Sequence, residues 1–152
     1  MQLASGFPLS CVVAKKHITD SQLPGSMGGT YAGNAVACAA AIATQHVIAK
    51  EQLIANSCKQ GALLKSLLTQ LKGKFPETIG DVRGLGCMVG VEMKASLGTK
   101  SEITNAALKR GMLILGCSVY ETMRFIPPLT VNEEEIKLAV NIFEDSLVEV
   151  LN

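Results

Sequence analysis

The spacing of apolar and polar residues predicts two consecutive helices in the first half of the chain. Alanines dominate Ala35–Lys50 and leave small side chains on every side, which predicts a helix able to lie close to several neighbouring elements. Apolar residues then recur at helical spacing over Gln52–Leu71, while lysines lie elsewhere on the helical wheel. This pattern predicts an amphipathic helix that ends at Gly73 and Pro76. Its apolar positions are Ile54, Cys58, Gly61, Leu64, Leu68 and Leu71.

Four shorter segments have the pattern of strands. Leu9–Ala14 is an apolar run that ends in charge, which predicts a buried strand. Ile79–Met93 is strand-like but interrupted by glycines, which indicate a bulge or a sharp bend. Two further strands are predicted at Met112–Leu115 and Thr122–Ile126, and the second is stopped by Pro127-Pro128.

Two more helices complete the pattern. A short helix is predicted over Ser101–Arg110, and the last helix begins after Asn132, whose side chain caps it while Glu135 completes a capping box. The resulting order is strand, helix pair, strand, helix, two strands and helix. This is an α/β arrangement in which short strands pack one face against helices. The predicted buried stripe of the last helix is Ile136, Ala139, Val140, Phe143, Leu147 and Val150.

Composition and charge narrow the class of protein without changing this picture. The 152 residues have a net charge of +1, with 18% charged and 48% hydrophobic side chains, which excludes a disordered chain. A nucleic-acid partner is not expected, because the chain has no basic excess and no Trp. No apolar run reaches membrane-spanning length, and the first residues do not have the pattern of a signal peptide. A membrane partner is therefore not expected either.

The five cysteines are scattered along the chain, and none of them belongs to a C-x-x-C pair. Neither a zinc site nor a disulfide framework is indicated by this spacing, and no metal site is predicted. Unpaired thiols of this kind are typical of proteins in a reducing compartment, so an intracellular location is expected.

A candidate anion site lies where a glycine-rich stretch, Gly28–Asn34, runs into the alanine-rich helix. Gly28 and Gly29 free the backbone for a close approach, and Thr30 supplies a hydroxyl. The start of a helix carries unpaired N–H groups and partial positive charge, which favours an anion. The alternative is that Thr30 or Asn34 only caps the helix after a glycine turn.

Arg124 is the one charged residue of an apolar predicted strand. Strand alternation places Met123 and Phe125 on one face and Arg124 on the other, together with Thr122 and Ile126. A guanidinium on a strand presents a planar fork that matches a carboxylate. The alternative is an arginine on an edge strand, where it faces water or pairs with a nearby glutamate.

For Arg83, a salt bridge to Asp81 or to another acidic neighbour is expected.

Taken together, these residues make the chain resemble the C-terminal part of the class III (omega-amino-acid) aminotransferases, which use pyridoxal 5′-phosphate. The resemblance covers essentially the whole chain. It is most similar to the 4-aminobutyrate aminotransferases, with ornithine and acetylornithine aminotransferases as alternatives. The residues that carry it are Ala4-Ser5-Gly6-Phe7-Pro8-Leu9-Ser10, Gly28-Gly29-Thr30-Tyr31-Ala32-Gly33-Asn34, Val82-Arg83-Gly84-Leu85-Gly86 and Met123-Arg124-Phe125-Ile126-Pro127-Pro128-Leu129-Thr130.

The resemblance implies the C-terminal portion of a fold-type I transferase dependent on pyridoxal phosphate. Residues 1–45 would be the end of the large cofactor domain. Residues 46–152 would form a bridging helix and a small α/β domain, in which helices cover a short antiparallel sheet. The implied reaction is transamination of an omega-amino acid with a 2-oxo acid such as 2-oxoglutarate, in the cytoplasm or in mitochondria.

The resemblance also implies roles for individual residues. Thr30 would donate its hydroxyl to the cofactor phosphate, and Gly28 and Gly29 would let the backbone come near. In a homodimer of this family, Thr30 would reach the partner's active site. Arg124 would bind the substrate carboxylate, which agrees with the geometry of a guanidinium on a strand.

One departure from the family concerns its Schiff-base lysine, which lies three residues before Ala4, at the position of Met1 in this sequence. Without that amine the chain cannot attach the cofactor covalently. The resulting hypothesis is a truncated piece of such an enzyme that is inactive alone. The alternatives are a non-catalytic module that dimerises or binds a partner, and a carboxylate-binding α/β domain with no cofactor.

Overall fold

The computed structural model describes residues 3–26, 28–94 and 100–151, and the chain divides into two compact units between Leu53 and Ile54. Within these ranges, no helix has both the length and the apolar character needed to cross a lipid bilayer. The helices are α1 (Lys16–Thr19), α2 (Ala35–Lys50), α3 (Leu53–Lys74), α4 (Lys100–Lys109) and α5 (Glu133–Leu151). The strands are β1 (Ile79–Leu85), β2 (Met88–Met93), β3 (Leu115–Gly116) and β4 (Thr122–Phe125).

The first unit consists of loops, the short α1 and the alanine-rich α2, which spans the predicted residues. Helix α2 begins after Asn34, whose side-chain oxygen accepts a hydrogen bond from the Ala37 amide at 2.9 Å. The predicted buried strand over Leu9–Ala14 is wrong, because this stretch has no regular structure and is exposed from Ser10 onward. A strand needs a neighbouring strand to pair its backbone groups, and the described part of this unit contains none.

The second unit is built on a four-stranded antiparallel sheet with the strand order β1-β2-β4-β3. One face of this sheet is buried together with side chains of α3, α4 and α5. Within this core, the rings of Phe125 in β4 and Phe143 in α5 pack edge to face, with their centroids 5.1 Å apart. The predicted α/β fold, with helices covering a short antiparallel sheet, is confirmed. The sheet residues in this core are Ile79, Val82, Val89, Val91, Met93, Met123 and Phe125.

Ile79–Met93 forms a hairpin of β1 and β2 rather than the single bent strand that the sequence predicted. The turn falls at Gly86-Cys87, and Gly86 has a φ of +54°, which glycine adopts without a steric penalty. The bulge that the glycines indicated is also present, since the register between the two strands shifts between Ile79 and Asp81.

Other elements differ from prediction mainly at their ends. Helix α3 continues through Gly73 to Lys74 before it stops ahead of Pro76. Its predicted apolar face is buried at Leu64, Leu68 and Leu71, but Ile54 and Cys58 in its first turns are exposed and lie outside the core of the second unit. Of the strand predicted at Met112–Leu115, Leu115 alone is in a strand, because pairing with β4 starts there.

Helix α3 packs against the hairpin turn with its backbone almost in contact. A Cβ atom placed on Gly61 would lie 2.0 Å from the carbonyl oxygen of Gly86, so no side chain fits at this crossing. Beside it, the Ser57 hydroxyl accepts a hydrogen bond from the Cys87 amide at 3.2 Å. These contacts fix the position of the hairpin turn along α3, next to Ser57 and Gly61.

Candidate functional site

The glycine-rich loop of the first unit is shaped by Asn34. Its amide nitrogen donates to the Tyr31 carbonyl at 2.9 Å, while its oxygen accepts from the Ala37 amide at the same distance. Asn34 is therefore the helix cap, and Thr30 is not. The Thr30 residue is exposed, and its hydroxyl forms no hydrogen bond with the described residues.

This loop borders a concave surface of the first unit with a cavity volume of about 780 Å³. Cβ atoms placed on Gly28 and Gly29 would meet no atom within 4 Å, so the backbone there is open to an approaching group. The described lining offers hydroxyl groups and backbone amides but no charged side chain. Its residues are Pro8, Leu9, Ser10, Val12, Ser26, Gly28, Gly29, Thr30, Tyr31, Ala32 and Gly33.

Arg124 lies in the second unit, on a strand with neighbours on both sides. Its Cα pairs with Gly90 of β2 and with Leu115 of β3, so β4 is an interior strand and the edge-strand alternative is wrong. Met123 and Phe125 are buried while Arg124 is exposed, as strand alternation predicted, although Thr122 on the predicted Arg124 face is buried as well. Among the described residues, no carboxylate forms a salt bridge with Arg124.

A cavity of about 220 Å³ opens beside Arg124. Apart from Arg124, the charged residue of its described lining is Glu135, whose carboxylate accepts a hydrogen bond from the Asn132 amide at 2.9 Å. The described lining of the cavity is therefore apolar apart from Arg124 and Glu135, which carry opposite charges. The apolar lining residues are Leu64, Met112, Leu113, Ile114, Phe125, Ile126, Pro127, Pro128, Val131, Ile136 and Ala139.

Arg83 occupies the same cross-strand row as Arg124, on the other side of Gly90, but its charge is already paired. Its guanidinium forms salt bridges with Asp81, at 3.2 Å, and with Glu92. The hydrogen bond from Arg83 lowers the pKa of Asp81, and the hydrogen bonds to Glu92 and Asp81 raise the pKa of Arg83. The predicted salt bridge is confirmed, and Arg83 has a structural role.

The other predicted site position, Met1, lies outside the described residues. Two residues that the sequence analysis missed are Asn56 and Gln60, one helical turn apart on α3. The Asn56 amide donates to the carbonyl oxygens of Leu129 and Val131, in the segment that follows β4. A signal was present in the sequence, because two amide side chains precede Gly61 on the face that continues with Leu64.

Comparison with known proteins places these residues in a family. The family model described as aminotransferase class III matches residues 2–147. The 5-aminovalerate aminotransferase DavT of Pseudomonas aeruginosa is 36% identical over 156 residues, which cover 97% of this chain and 36% of the relative. The 4-aminobutyrate aminotransferase GabT of Escherichia coli is also 36% identical, over 155 residues, with the same coverage. An acetylornithine aminotransferase of Clostridium acetobutylicum is 36% identical over 146 residues, which cover 95% of this chain and 36% of that relative.

Solved structures agree with the sequence comparison. A six-fold mutant of a thermostable omega transaminase from Pseudomonas jessenii superimposes with a TM-score of 0.72 and 28% identity, over 82% of this chain and 29% of that chain. The chain belongs to the class III aminotransferase family, and the resemblance seen in the sequence is confirmed. The chain spans about a third of the length of the curated relatives that it matches, namely 36% of DavT and 36% of GabT.

Proposed function

We propose that this chain is part of an enzyme that catalyses a pyridoxal-phosphate-dependent transamination. The amino donor would be an omega-amino acid of the 4-aminobutyrate type, and the acceptor would be a 2-oxo acid such as 2-oxoglutarate. The observation that carries the proposal is Arg124, an exposed guanidinium on an interior strand that has no carboxylate partner among the described residues. The names of DavT and GabT support the substrate class, and the acetylornithine aminotransferases support the alternative of a related donor.

Arg124 would bind the carboxylate group of the substrate. A guanidinium offers two parallel N–H donors to the two carboxylate oxygens, which orients the ligand as well as neutralising its charge. In an omega-amino acid the amine lies at the far end of the molecule, so a carboxylate held at Arg124 leaves the amine to point away from the sheet. A 2-oxo acid carries the same group, and one arginine would serve both substrates in turn.

Gly28, Gly29 and Thr30 fit the phosphate end of the cofactor, because the loop offers an exposed hydroxyl and an open backbone. When bound, pyridoxal phosphate would supply the electron sink for transamination. In a homodimer, Thr30 would contribute to the partner's site. The described lining of the loop contains no lysine, so we expect this chain alone to bind ligands without turning them over.

Ligand titration followed by NMR tests the assignment of Arg124. We expect 4-aminobutyrate to shift the Arg124 Nε–H signal, and Arg124→Gln to weaken this binding by roughly 10- to 100-fold, as the loss of a charge-assisted hydrogen bond predicts. Arg83→Gln is the matched control, because it removes the same charge from the same cross-strand row and is expected to leave the affinity unchanged. Equal losses in both variants would rule out a specific role for Arg124.

The phosphate loop is tested in the same way with pyridoxine 5′-phosphate, which lacks the aldehyde that reacts with surface lysines. We expect its resonance shifts to centre on Gly28–Thr30 and to weaken in Thr30→Val. Thr19→Val is the control, since its hydroxyl donates to the Lys16 carbonyl within α1. Shifts that are unchanged by Thr30→Val would contradict the assignment.

A second candidate, a non-catalytic dimerisation module, is favoured by apolar side chains that α2 exposes. Val36 is 62% exposed and Ile42 is 73% exposed, and such side chains favour burial against a partner. Sedimentation at several concentrations separates the two functions. A chain that dimerises but binds neither 4-aminobutyrate nor pyridoxine 5′-phosphate would support the module and contradict the transaminase assignment.

A further inference from the structure

The segment that leaves β4, residues 126–131, has little backbone hydrogen bonding of its own. Pro127 and Pro128 have no N–H group, so the strand cannot continue and the sheet cannot hold this segment. Within it, the Val131 amide donates to the Pro128 carbonyl at 3.0 Å. Its other carbonyl groups need donors from elsewhere in the fold.

Asn56 supplies these donors from the first turn of α3. Its Nδ2 donates to the Leu129 carbonyl at 2.8 Å and to the Val131 carbonyl at 2.9 Å. Both contacts join parts of the chain that are more than 70 residues apart. One side chain therefore holds two points of a segment that the sheet does not hold.

Gln60 fixes the orientation of Asn56. Its Nε2 donates to the Asn56 Oδ1 at 3.4 Å, which leaves the Asn56 NH₂ group to face the two carbonyls. Gln60 is 5% exposed, and its Oε1 has no hydrogen-bond partner among the described residues. A buried acceptor without a partner lowers stability. A leucine at this position would avoid that penalty, so stability does not account for the glutamine.

The segment that Asn56 holds is also a wall of the Arg124 cavity. Ile126, Pro127, Pro128 and Val131 line this cavity together with Arg124. Any rearrangement of residues 126–131 therefore changes the shape of the cavity that Arg124 lines. The hydrogen bonds of Asn56 act on the shape of the cavity without touching its contents, since Asn56 is not among the lining residues.

We propose that Asn56, oriented by Gln60, is a positioning residue that holds residues 126–131 as the wall of the Arg124 cavity and so sets the affinity for a carboxylate ligand. The part that concerns affinity rests on the proposed function, whereas the part that concerns the segment does not. Asn56 acts on the ligand through the backbone of this segment.

Hydrogen exchange measured by NMR tests the proposal with Asn56→Ala. We expect the Val131 amide to exchange roughly tenfold faster, as the loss of two hydrogen bonds predicts, while the amides of Val89 and Val91 in the sheet keep their protection. The affinity for 4-aminobutyrate should fall by a similar factor. Thr69→Ala is the matched control on the same helix, because its hydroxyl bonds only to the Lys65 carbonyl within α3.

Gln60→Leu separates positioning from a merely structural role. It removes the unpaired acceptor, so we expect the urea midpoint to stay the same or to rise, while Val131 exchanges faster than in the unmodified chain. A merely structural role would instead lower the urea midpoint and accelerate Val131 exchange together.

The proposal is overturned if Val131 exchange is unchanged in Asn56→Ala, or if the Val89 and Val91 amides accelerate by the same factor. It is also overturned if Val131 exchanges faster but 4-aminobutyrate binds with unchanged affinity. If the unmodified chain binds no 4-aminobutyrate, the proposed function fails, and the role of Asn56 in setting an affinity fails with it. The exchange data would still decide whether Asn56 holds the segment.

Discussion

Arg83 and Arg124 illustrate how the same residue type takes different roles on one face of a sheet. Both lie in the row that crosses Gly90, but two carboxylates neutralise Arg83 and none of the described ones pairs with Arg124. The sequence predicted the first pairing because Asp81 is two residues away. It could not predict that Glu92 would join, since that contact depends on the register of the hairpin.

Gly61 provides a test at the scale of a single residue. We expect Gly61→Ala to destabilise the second unit by about 1–3 kcal/mol, because the added methyl group would lie 2.0 Å from a backbone oxygen that cannot move aside cheaply. Urea denaturation followed by circular dichroism measures the change.

Gly73→Ala on the same helix is the control for this prediction. A Cβ there would meet no atom within 4 Å, and alanine has the higher helix propensity, so a gain of up to about 1 kcal/mol is expected. A Gly61→Ala variant as stable as Gly73→Ala would show that α3 does not need a bare backbone at the hairpin crossing.

At the scale of elements, patterns that one segment carries by itself were predicted well. Helices α2 and α5 occupy their predicted residues, and the capping box of α5 forms in both directions: the Glu135 amide donates to the Asn132 side chain, and the Asn132 amide donates to the Glu135 carboxylate, each at 2.9 Å. Helical periodicity and caps are local, so the sequence is sufficient for them. The strand expected at Leu9–Ala14 failed because a strand also depends on a partner.

The capping box gives the prediction for an element. We expect Asn132→Ala to lower the free energy of unfolding by about 1 kcal/mol, because the Glu135 amide loses its acceptor at the positive end of α5. Glu135→Gln keeps an oxygen that can accept from the Asn132 amide, so its loss should be smaller. Thermal denaturation of the two variants provides the comparison, and an Asn132→Ala variant as stable as the unmodified chain would mean that the side-chain cap of Asn132 contributes nothing.

At the scale of the whole molecule, ion pairs connect elements of the second unit that are far apart in sequence. Glu149 near the end of α5 pairs with Arg110 at 2.6 Å and with Lys109 at 3.7 Å, which lie at the end of α4 and just after it. The hydrogen bond from Arg110 is the main cause that lowers the pKa of Glu149 from its ordinary 4.5. The pKa of Asp81 and of Glu133 is lowered as well, by Arg83 and Lys137.

These shifts predict how stability depends on pH. A carboxyl whose pKa is lower in the folded state stabilises the fold above its ordinary pKa, and this contribution is lost as the pH falls through the lowered value. We therefore expect the urea midpoint to decrease below about pH 4.5. Glu149→Gln should show a shallower decrease than the unmodified chain. A midpoint that rises on acidification would contradict the assignment.

The sequence by itself determined helices α2 to α5, the capping box of α5, the strand alternation around Arg124 and the family, because these follow from local spacing and from short blocks of residues. Tertiary structure alone decided that β4 is an interior strand, that Ile79–Met93 folds back as a hairpin, and that Asn56 reaches the segment after β4. The physical reason is that pairing and side-chain contacts over tens of residues depend on where other elements come to lie. No pattern within a single segment contains that information.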